Sequence, residues 1–180
     1  LDCVFFFFRI RRPPGSTLFP YTTLFRSKGS FTVKADRAEA FQFLVDPERV
    51  TRYMPDVEGV EIEDENNFTV KAKVGISHIR GTMVMKLRLT DKVEPVSAKV
   101  IGSGSGMASV VDTITSFTLE EAGEGMTTIN WTGDVKVGGK LAAFGAGGLM
   151  ERVAKKNLEK FVSGIKKGID EIGKDRKSVA

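Results

Sequence analysis

The chain has few of the residues that form disulfides, metal sites and catalytic centres. Its 180 residues include one cysteine, Cys3, and one histidine, His78. A single cysteine excludes an internal disulfide, and a single histidine excludes a histidine cluster for a metal. Asp112 and Asp134 are the acids inside predicted strands, and the alternation points both outward. The sequence therefore predicts no metal site and identifies no catalytic residue.

Long apolar runs are also absent. Residues 4–8 are apolar, but a membrane-spanning helix needs about 20 such residues. The basic residues of the segment 9–14 follow this run instead of preceding it, and no small-residue cleavage site appears. We therefore expect neither a membrane span nor a secretory signal in this sequence.

Both ends of the chain resemble translated sequencing adapters. Residues 17–27 fit a conceptual translation of a common sequencing-library adapter, and residues 175–179 fit a translation of its complement. We therefore expect residues 1–27 and 175–180 to be non-native, with residues 1–27 disordered. Residues 28–174 are enough for a single domain with a sizeable core. Whether native residues, a membrane anchor included, are missing beyond either end is left open.

Setting these ends aside removes the basic character of the chain. Of 27 Lys and Arg residues, six lie in the two ends, and of 23 Asp and Glu residues, two lie there, which leaves 21 of each sign. A formally neutral segment gives no electrostatic reason to expect nucleic-acid binding.

Most of the remaining segment has the period-two alternation of strands. Residues 29–35 predict a first strand, and two short helices follow it, separated by Asp46 and Pro47. Six more strands are predicted, with turns at Asn66-Asn67, at Glu94-Pro95, at residues 104–106 and at residues 121–125. These strands span residues 57–63, 68–74, 77–90, 98–103, 109–119 and 126–137.

The chain ends in one long amphipathic helix. After Gly138, apolar residues recur at spacings of three and four and form one stripe: Met150, Ala154, Leu158, Phe161, Ile165, Ile169 and Ile172. The predicted fold is α+β: a curved antiparallel sheet of about seven strands wrapped round this helix, with two short helices between strands one and two. Such a helix-grip arrangement tends to enclose a cavity that holds a ligand.

Candidate pocket residues come from the apolar faces of the strands and from the long helix and the segment that leads into it. The methionines among them either line an adaptable apolar cavity or fill the core, and Asn157 is the only polar candidate. The glycine-rich stretch 138–150 predicts a hinge or gate at the pocket mouth. The full set is Val70, Ala72, Val74, Met83, Met85, Leu87, Trp131, Val135, Phe144, Leu149, Met150, Asn157 and Phe161.

Several motifs in order resemble the CoxG family, named after the CoxG subunit of carbon monoxide dehydrogenase. They are GSFTV at residues 29–33, FLVDPERV at 43–50, MPDVEGV at 54–60, KVG at 73–75, RG at 80–81, and VKVGGKLA at 135–142 with Gly145. The resemblance covers essentially all of residues 28–174. One departure is Asp56, because members commonly carry glycine after the proline that here is Pro55.

The resemblance implies a START-like domain of the SRPBCC superfamily, encoded beside molybdenum hydroxylases of the carbon monoxide dehydrogenase type. It implies a non-catalytic protein whose apolar pocket takes a lipid or quinone without a covalent cofactor, and which recruits the hydroxylase to the membrane. The expected location is cytoplasmic or peripheral at the inner face of the cell membrane.

Two alternatives remain open. One is an enzyme, a cyclase or hydrolase acting on a hydrophobic substrate in the same cavity, and the other is a ligand-free assembly factor. Five helix lysines either attract an anionic membrane or form a plain solvated face: Lys155, Lys156, Lys160, Lys166 and Lys167.

Overall fold

The sheet, two short helices and a long C-terminal helix appear in the predicted order. The structure, a computed structural model, describes residues 22–76, 79–145 and 148–177. The elements are β1 (Thr22–Val33), α1 (Arg37–Val45), α2 (Pro47–Thr51), β2 (Val57–Ile62), β3 (Asn67–Ile76), β4 (Ile79–Val93), β5 (Ser97–Gly106), β6 (Ser109–Gly123), β7 (Met126–Gly139), a 3₁₀ helix (Lys140–Gly145) and α3 (Leu149–Lys177). The predicted α+β helix-grip fold is confirmed.

All seven strands belong to one antiparallel sheet in the order β1-β7-β6-β5-β4-β3-β2. Strands β2 to β7 form a meander, and β1 pairs with β7 along its whole length, from Thr22 opposite Gly138 to Val33 opposite Thr127. The α1–α2 pair connects the two edge strands, β1 and β2. The chain therefore crosses the whole width of the sheet through these two helices.

The predicted alternation gives the sheet one apolar face and one polar, solvent-exposed face. In β4, Leu87 and Leu89 are buried while Lys86 and Arg88 are exposed. The buried side chains form three clusters on the apolar face. The cradle cluster joins α1, β1, β5–β7 and the C-terminal half of α3; its buried members are Val33, Ala35, Ala40, Phe41, Phe43, Val50, Ala98, Phe117, Leu119, Ile129, Ile165 and Ile169.

The other two clusters lie on the rest of the apolar face. The lateral cluster contains Phe68, Val70, Leu87 and Leu89 from β3 and β4. The distal cluster lies at the far end of β6 and β7 from the cradle cluster, with Met83, Val137 and Leu141 buried in it. The core is therefore divided among three regions instead of forming one continuous layer.

The C-terminal half of α3 packs tightly against the α1–α2 pair. Gly168 faces the ring of Tyr53, and a Cβ atom at Gly168 would lie 2.5 Å from Tyr53 Cζ and 2.7 Å from Phe43 Cζ. Gly164 approaches the backbone of the same tyrosine, because its Cβ would lie 3.1 Å from the Tyr53 carbonyl oxygen. The two glycines let the helix approach the cradle more closely than any other residue would permit.

The first strand and the last helix extend beyond their predicted ends. Strand β1 begins at Thr22, seven residues before the strand predicted at residues 29–35, and α3 continues to Lys177, beyond the predicted helix end at Ile172. The backbone ladder with β7 extends β1, and Phe25 packs on the distal cluster. Residues 22–27 are thus paired, contrary to the expected disorder; the non-native origin of residues 1–27 and 175–180 stays a prediction.

The turn predicted within the glycine-rich segment 102–106 is wrong. All five residues belong to β5, and the turn lies at Met107 and Ala108. The glycines avoid collisions with neighbouring strands, because a Cβ at Gly102 would lie 2.6 Å from Leu87 Cδ2 and from Thr113 Cγ2. Close packing, not chain reversal, accounts for them.

The hairpin between β2 and β3 also differs from its prediction. Asn67 is the first residue of β3, and neither Asn66 nor Asn67 has a positive φ. Instead, Asp64 Oδ1 accepts hydrogen bonds from the backbone nitrogens of Asn66 at 2.7 Å and Asn67 at 2.8 Å. Together with the Asn67 side-chain amide, these donors lower the pKa of Asp64. A carboxylate therefore holds this turn.

The first prediction concerns Gly168. Gly168→Ala should destabilise the domain by about 1–3 kcal/mol, because the added methyl group overlaps the rings of Tyr53 and Phe43. This loss exceeds the gain of about 1 kcal/mol in helix propensity. Urea unfolding followed by circular dichroism measures the difference. Ser163→Ala, at an exposed position of the same helix, is the control. A Gly168→Ala variant as stable as the control would contradict the tight contact.

The second prediction concerns Asp56, which has a φ of 59°. This left-handed conformation explains why glycine is common there in the resembled family, since a Cβ atom costs about 1 kcal/mol in it. Asp56→Gly should be more stable than Asp56→Ala by about 1 kcal/mol. The two variants lose the same carboxylate, so thermal unfolding compares only the backbone effect. Equal melting temperatures would contradict it.

Candidate hydrophobic-ligand site

The apolar face of the sheet forms a floor beneath α3, made of inward-facing side chains. We use the term floor for the inward-facing positions of β3 to β7 that lie between the cradle and distal clusters or beside them. They are Val70, Ala72, Val74, Met83, Met85, Leu87, Val100, Gly102, Gly104, Val111, Thr113, Thr115, Trp131, Gly133, Val135 and Val137. Every one of these residues is uncharged, so the floor favours apolar or neutral groups.

Burial varies strongly along α3. Ile165 and Ile169 in its C-terminal half are each 1% exposed. In the N-terminal half, none of residues 151–160 is buried, and Val153 and Leu158 are only half-buried. Ile165 and Ile169 pack over β5 to β7 in the cradle cluster. The N-terminal half of α3 therefore covers the sheet less completely than the C-terminal half does.

The middle of the floor keeps contact with solvent. The inward residues Met85, Val111 and Val135 are half-buried, although the alternation directs them toward α3. Val74, Thr113 and Thr115 are half-buried as well. The interior is thus buried at the cradle cluster and only partly buried beside the distal cluster, where some apolar surface remains accessible.

Glycines in β5 create a strip of floor with no side chains of its own. Gly102 and Gly104 are buried, and side chains of β4 lean over them. A Cβ at Gly104 would lie 2.7 Å from Met85 Cγ and 3.6 Å from Met83 Cγ. Methionine has three rotatable bonds, so these chains adapt to a ligand with little strain. The strip and the methionines that cover it therefore form an adaptable part of the floor.

The β5–β6 hairpin and the 3₁₀ helix meet at the distal end of the floor. Met107 and Ala108, the two turn residues, both have positive φ, at 54° and 53°. Ser109 Oγ donates to the Met107 carbonyl oxygen at 3.2 Å and accepts from the Leu141 backbone nitrogen at 3.0 Å. The hairpin tip is therefore tied to the segment that leads into α3.

Two glycines flank the 3₁₀ helix. Gly139 has a φ of 78° and Gly148 a φ of 71°, a backbone region that other residues rarely adopt. They lie at the two ends of the segment for which the sequence predicts a hinge or gate. That role stays a prediction, since it concerns motion.

The structure brings most of the predicted pocket residues together. Eleven of the thirteen line the floor or its clusters. Val74, Met83, Met85, Val135, Phe144 and Leu149 belong to the distal cluster, Val70, Ala72 and Leu87 to the lateral cluster, and Trp131 and Phe161 pack against the cradle cluster. Met85 contacts both the distal and the lateral cluster. Ligand contact by these residues stays a prediction.

Two predicted residues stand apart. Asn157 lies in the N-terminal half of α3 and is exposed, while Val153 in the same half is half-buried and packs on the distal cluster. Met150 belongs to α3, but its side chain lies outside the described residues, as does His78 altogether. The predicted stripe also includes Ala154, which is exposed.

The predicted pocket set lacks the two threonines on the floor, Thr113 and Thr115. Phe117 and Leu119 are buried in the same strand, so the period of two places Thr115 and Thr113 on the same face. The alternation of β6 is therefore a signal that could have found them. Residue type works against it, because threonine is common on exposed strand faces.

The charged groups lie on the other face of the sheet. Arg26 Nε donates to Asp134 Oδ1 at 2.7 Å, and Glu58 accepts from Lys73 Nζ at 3.2 Å and from Thr82 Oγ1 at 3.1 Å. The donors Lys73 and Thr82 lower the pKa of Glu58. Both arrangements are solvent-exposed ion pairs, which contribute little to stability.

Within the described ranges, no group of three or more His, Cys, Asp or Glu residues is placed to hold a metal ion. None of the helices in that part of the chain combines the length and apolar character of a membrane span.

A separate depression, with a volume of about 460 Å³, lies over β1, β6 and β7. Six of its nine lining residues are outward-facing and polar: Lys28, Ser30, Ser116, Thr118, Asn130 and Thr132. Its lining combines these polar groups with Gly29, Phe117 and Trp131, whereas the floor beneath α3 consists of uncharged inward-facing residues, so the floor is the candidate site.

Solved structures share this fold at low sequence identity. A conserved protein from Geobacillus kaustophilus is 24% identical, with a TM-score of 0.74 over 82% of this chain and 96% of that one. A START superfamily protein from Mycobacterium smegmatis is 13% identical, with a TM-score of 0.63 over 82% and 98% of the two chains. The Zhui aromatase/cyclase from Streptomyces sp. R1128 is 17% identical, with a TM-score of 0.60 over 82% and 94%. These likenesses show a START-like fold and nothing further.

The sequence itself identifies the family. No curated protein matches the chain. The family model for CoxG, a subunit of carbon monoxide dehydrogenase, matches residues 29–170, which is most of the chain and nearly all of the predicted domain. The chain therefore belongs to the CoxG family of carbon monoxide dehydrogenase subunits.

Proposed function

We propose that this protein is a non-catalytic binding protein for a hydrophobic ligand, a lipid or a quinone, that serves a molybdenum hydroxylase of the carbon monoxide dehydrogenase type at the membrane. The observation that supports it most directly is the floor beneath α3. Its residues are uncharged, and the apolar side chains of Met85, Val111 and Val135 are half-buried although they face the interior of the domain.

The hydrophobic effect gives such a floor its affinity. Burying apolar surface contributes roughly 25 cal/mol per Å². A ligand tail that covers Met85, Val111 and Val135 would remove their remaining exposed area from water together with its own. No charged anchor is needed for an interaction of this kind. The ligand is held without a covalent bond, since the site needs only apolar contact.

The non-catalytic part of the proposal has its own support. An enzyme in this cavity would need a general acid or base within hydrogen-bond reach of its substrate. The floor residues carry hydroxyl groups at Thr113 and Thr115 and otherwise only apolar side chains and glycine. The fold alone does not decide, because an aromatase/cyclase shares it.

Membrane recruitment is supported by the basic residues near the open half of α3. Arg152, Lys155, Lys156 and Lys160 are exposed there, with Glu151 and Glu159 between them. Lysines near an anionic bilayer contribute about 1 kcal/mol each. This surface lies beside the open floor, so a ligand would leave the membrane and enter the site by a short path. A cytoplasmic protein that visits the inner membrane face fits this arrangement.

The third prediction tests ligand binding. Trp131 is the only tryptophan and borders the floor. The uncharged probe N-phenylnaphthylamine should quench or shift its fluorescence and gain emission itself. Val111→Phe, which fills half-buried floor volume, should weaken probe binding about tenfold.

Val110→Phe is the matched control, because Val110 is the next residue of the same strand but points outward and is 40% exposed. Equal binding to both variants would place the probe elsewhere, and no binding to the wild type would support a ligand-free assembly factor.

Native mass spectrometry of the purified protein distinguishes the remaining alternatives. A co-purifying lipid or quinone that is recovered unchanged after incubation agrees with the proposal. Conversion of that ligand would instead identify an enzyme.

The fourth prediction tests the membrane part. The triple variant Lys155→Glu, Lys156→Glu, Lys160→Glu should bind vesicles of anionic phospholipid at least about tenfold more weakly than the wild type. The control variant carries Lys71→Glu, Lys86→Glu and Lys136→Glu, three exposed lysines on the opposite face of the sheet. Vesicle flotation at low and physiological salt measures both. If the two triple variants lose binding equally, general charge and not this surface is responsible.

A further inference from the structure

Two hydroxyl groups lie in the middle of the apolar floor. Thr113 and Thr115 follow each other on the inward side of β6, and both are half-buried. Thr115 pairs with Gly133 across the strand, and Thr113 pairs with Gly102 on the other neighbouring strand. Because each threonine faces a glycine, no neighbouring side chain covers it from that direction.

The orientation of both side chains can be followed from their neighbours. A Cβ at Gly102 would lie 2.6 Å from the methyl carbon of Thr113, so this methyl group rests on the β5 strip. A Cβ at Gly133 would lie 3.6 Å from Ser27 Oγ, 3.7 Å from Thr115 Oγ1 and 4.0 Å from Trp131 Cζ3. The Thr115 hydroxyl therefore borders the gap left by Gly133, together with the Ser27 hydroxyl and the indole.

Neither hydroxyl has a hydrogen-bond partner within the described part of the chain. Buried and half-buried hydroxyl groups usually find one, in the protein, in water or in a ligand. The cradle and distal clusters lie on either side of this pair, and they share no residue. The threonines thus form a short polar belt between two apolar regions.

We propose that Thr113 and Thr115 bind an uncharged, oxygen-bearing group of the ligand, a carbonyl or a hydroxyl, while its hydrocarbon parts lie on the apolar residues to either side. This inference rests on the proposed function and deepens it, because it adds a chemical requirement to the ligand. A hydroxyl both donates and accepts, so it suits either group. A carboxylate is excluded, since the floor residues include no cation to balance it.

The fifth prediction compares three ligands of equal chain length on the intact protein: decanol, decane and decanoate. Trp131 fluorescence should report decanol binding most strongly. Decane should bind about 5-fold more weakly than decanol, since it leaves the hydroxyls unpaired. Decanoate at neutral pH should bind at least about tenfold more weakly, because its charge would be desolvated without a partner.

The double variant Thr113→Val, Thr115→Val removes both hydroxyls with little change of shape. It should lose the preference for decanol over decane, while its affinity for decane stays equal to or above that of the wild type. Thr118→Val is the matched control, as Thr118 is an exposed, outward residue of the same strand. It should keep the wild-type preference. Thermal unfolding of all variants confirms that they are folded.

The outcomes separate this inference from the proposed function. If the wild type binds decane and decanol equally, or if the double variant keeps the preference for decanol, apolar binding stands and the polar belt is refuted. Tighter binding of decanoate than of decanol likewise refutes the requirement for a neutral group. If none of the three ligands nor N-phenylnaphthylamine binds the wild type, the proposed function fails, and the polar belt fails with it.

Discussion

The contact between α3 and the α1–α2 pair is the constraint on which the rest of the architecture depends. Gly164 and Gly168 bring the helix against Tyr53 and Phe43, and Ile165 and Ile169 are buried beside them. This contact holds the C-terminal half of the helix close to one end of the sheet. At its other end, Leu149 and Val153 pack on the distal cluster, so the helix is held at both ends and passes above the floor between them.

An open apolar floor costs stability, and several features reduce that cost. The methionines of β4 lean over the glycine strip of β5 and cover part of it. Their side chains can retract when a ligand arrives, because they have low rotational barriers and no branched atoms. The tie between Ser109 and Leu141 holds the distal end together without covering the floor. Packing in this part of the sheet is therefore adaptable at the methionines and held by the hydrogen bond between Ser109 and the 3₁₀ helix.

Much of the fold could be predicted from the period of two and from one amphipathic helix. The inward faces of β3, β4 and β7 are fixed by alternations such as Leu87 and Leu89 against Lys86 and Arg88. The lengths of the strands and helices and the packing contacts between them could not be predicted in the same way. Glycines at 102 and 104 suggest a turn in sequence, yet they serve close packing with β4, which only the tertiary arrangement reveals. The predicted apolar face of α3 is wrong by one position at Ala154. Both Val153 and Ala154 fit a helical stripe, but Val153 packs on the distal cluster and Ala154 is exposed.

The separation of charge from the ligand site has a functional consequence. Ion pairs such as Arg26 with Asp134 and Glu58 with Lys73 lie on the face of the sheet opposite the floor. A partner protein recognised by those charges would therefore not compete with an occupant of the floor. The exposed lysines of α3 lie instead beside the open region, where a bilayer and the site would meet. The helix-grip fold keeps these two surfaces apart because its sheet has two faces and its helix covers only part of one.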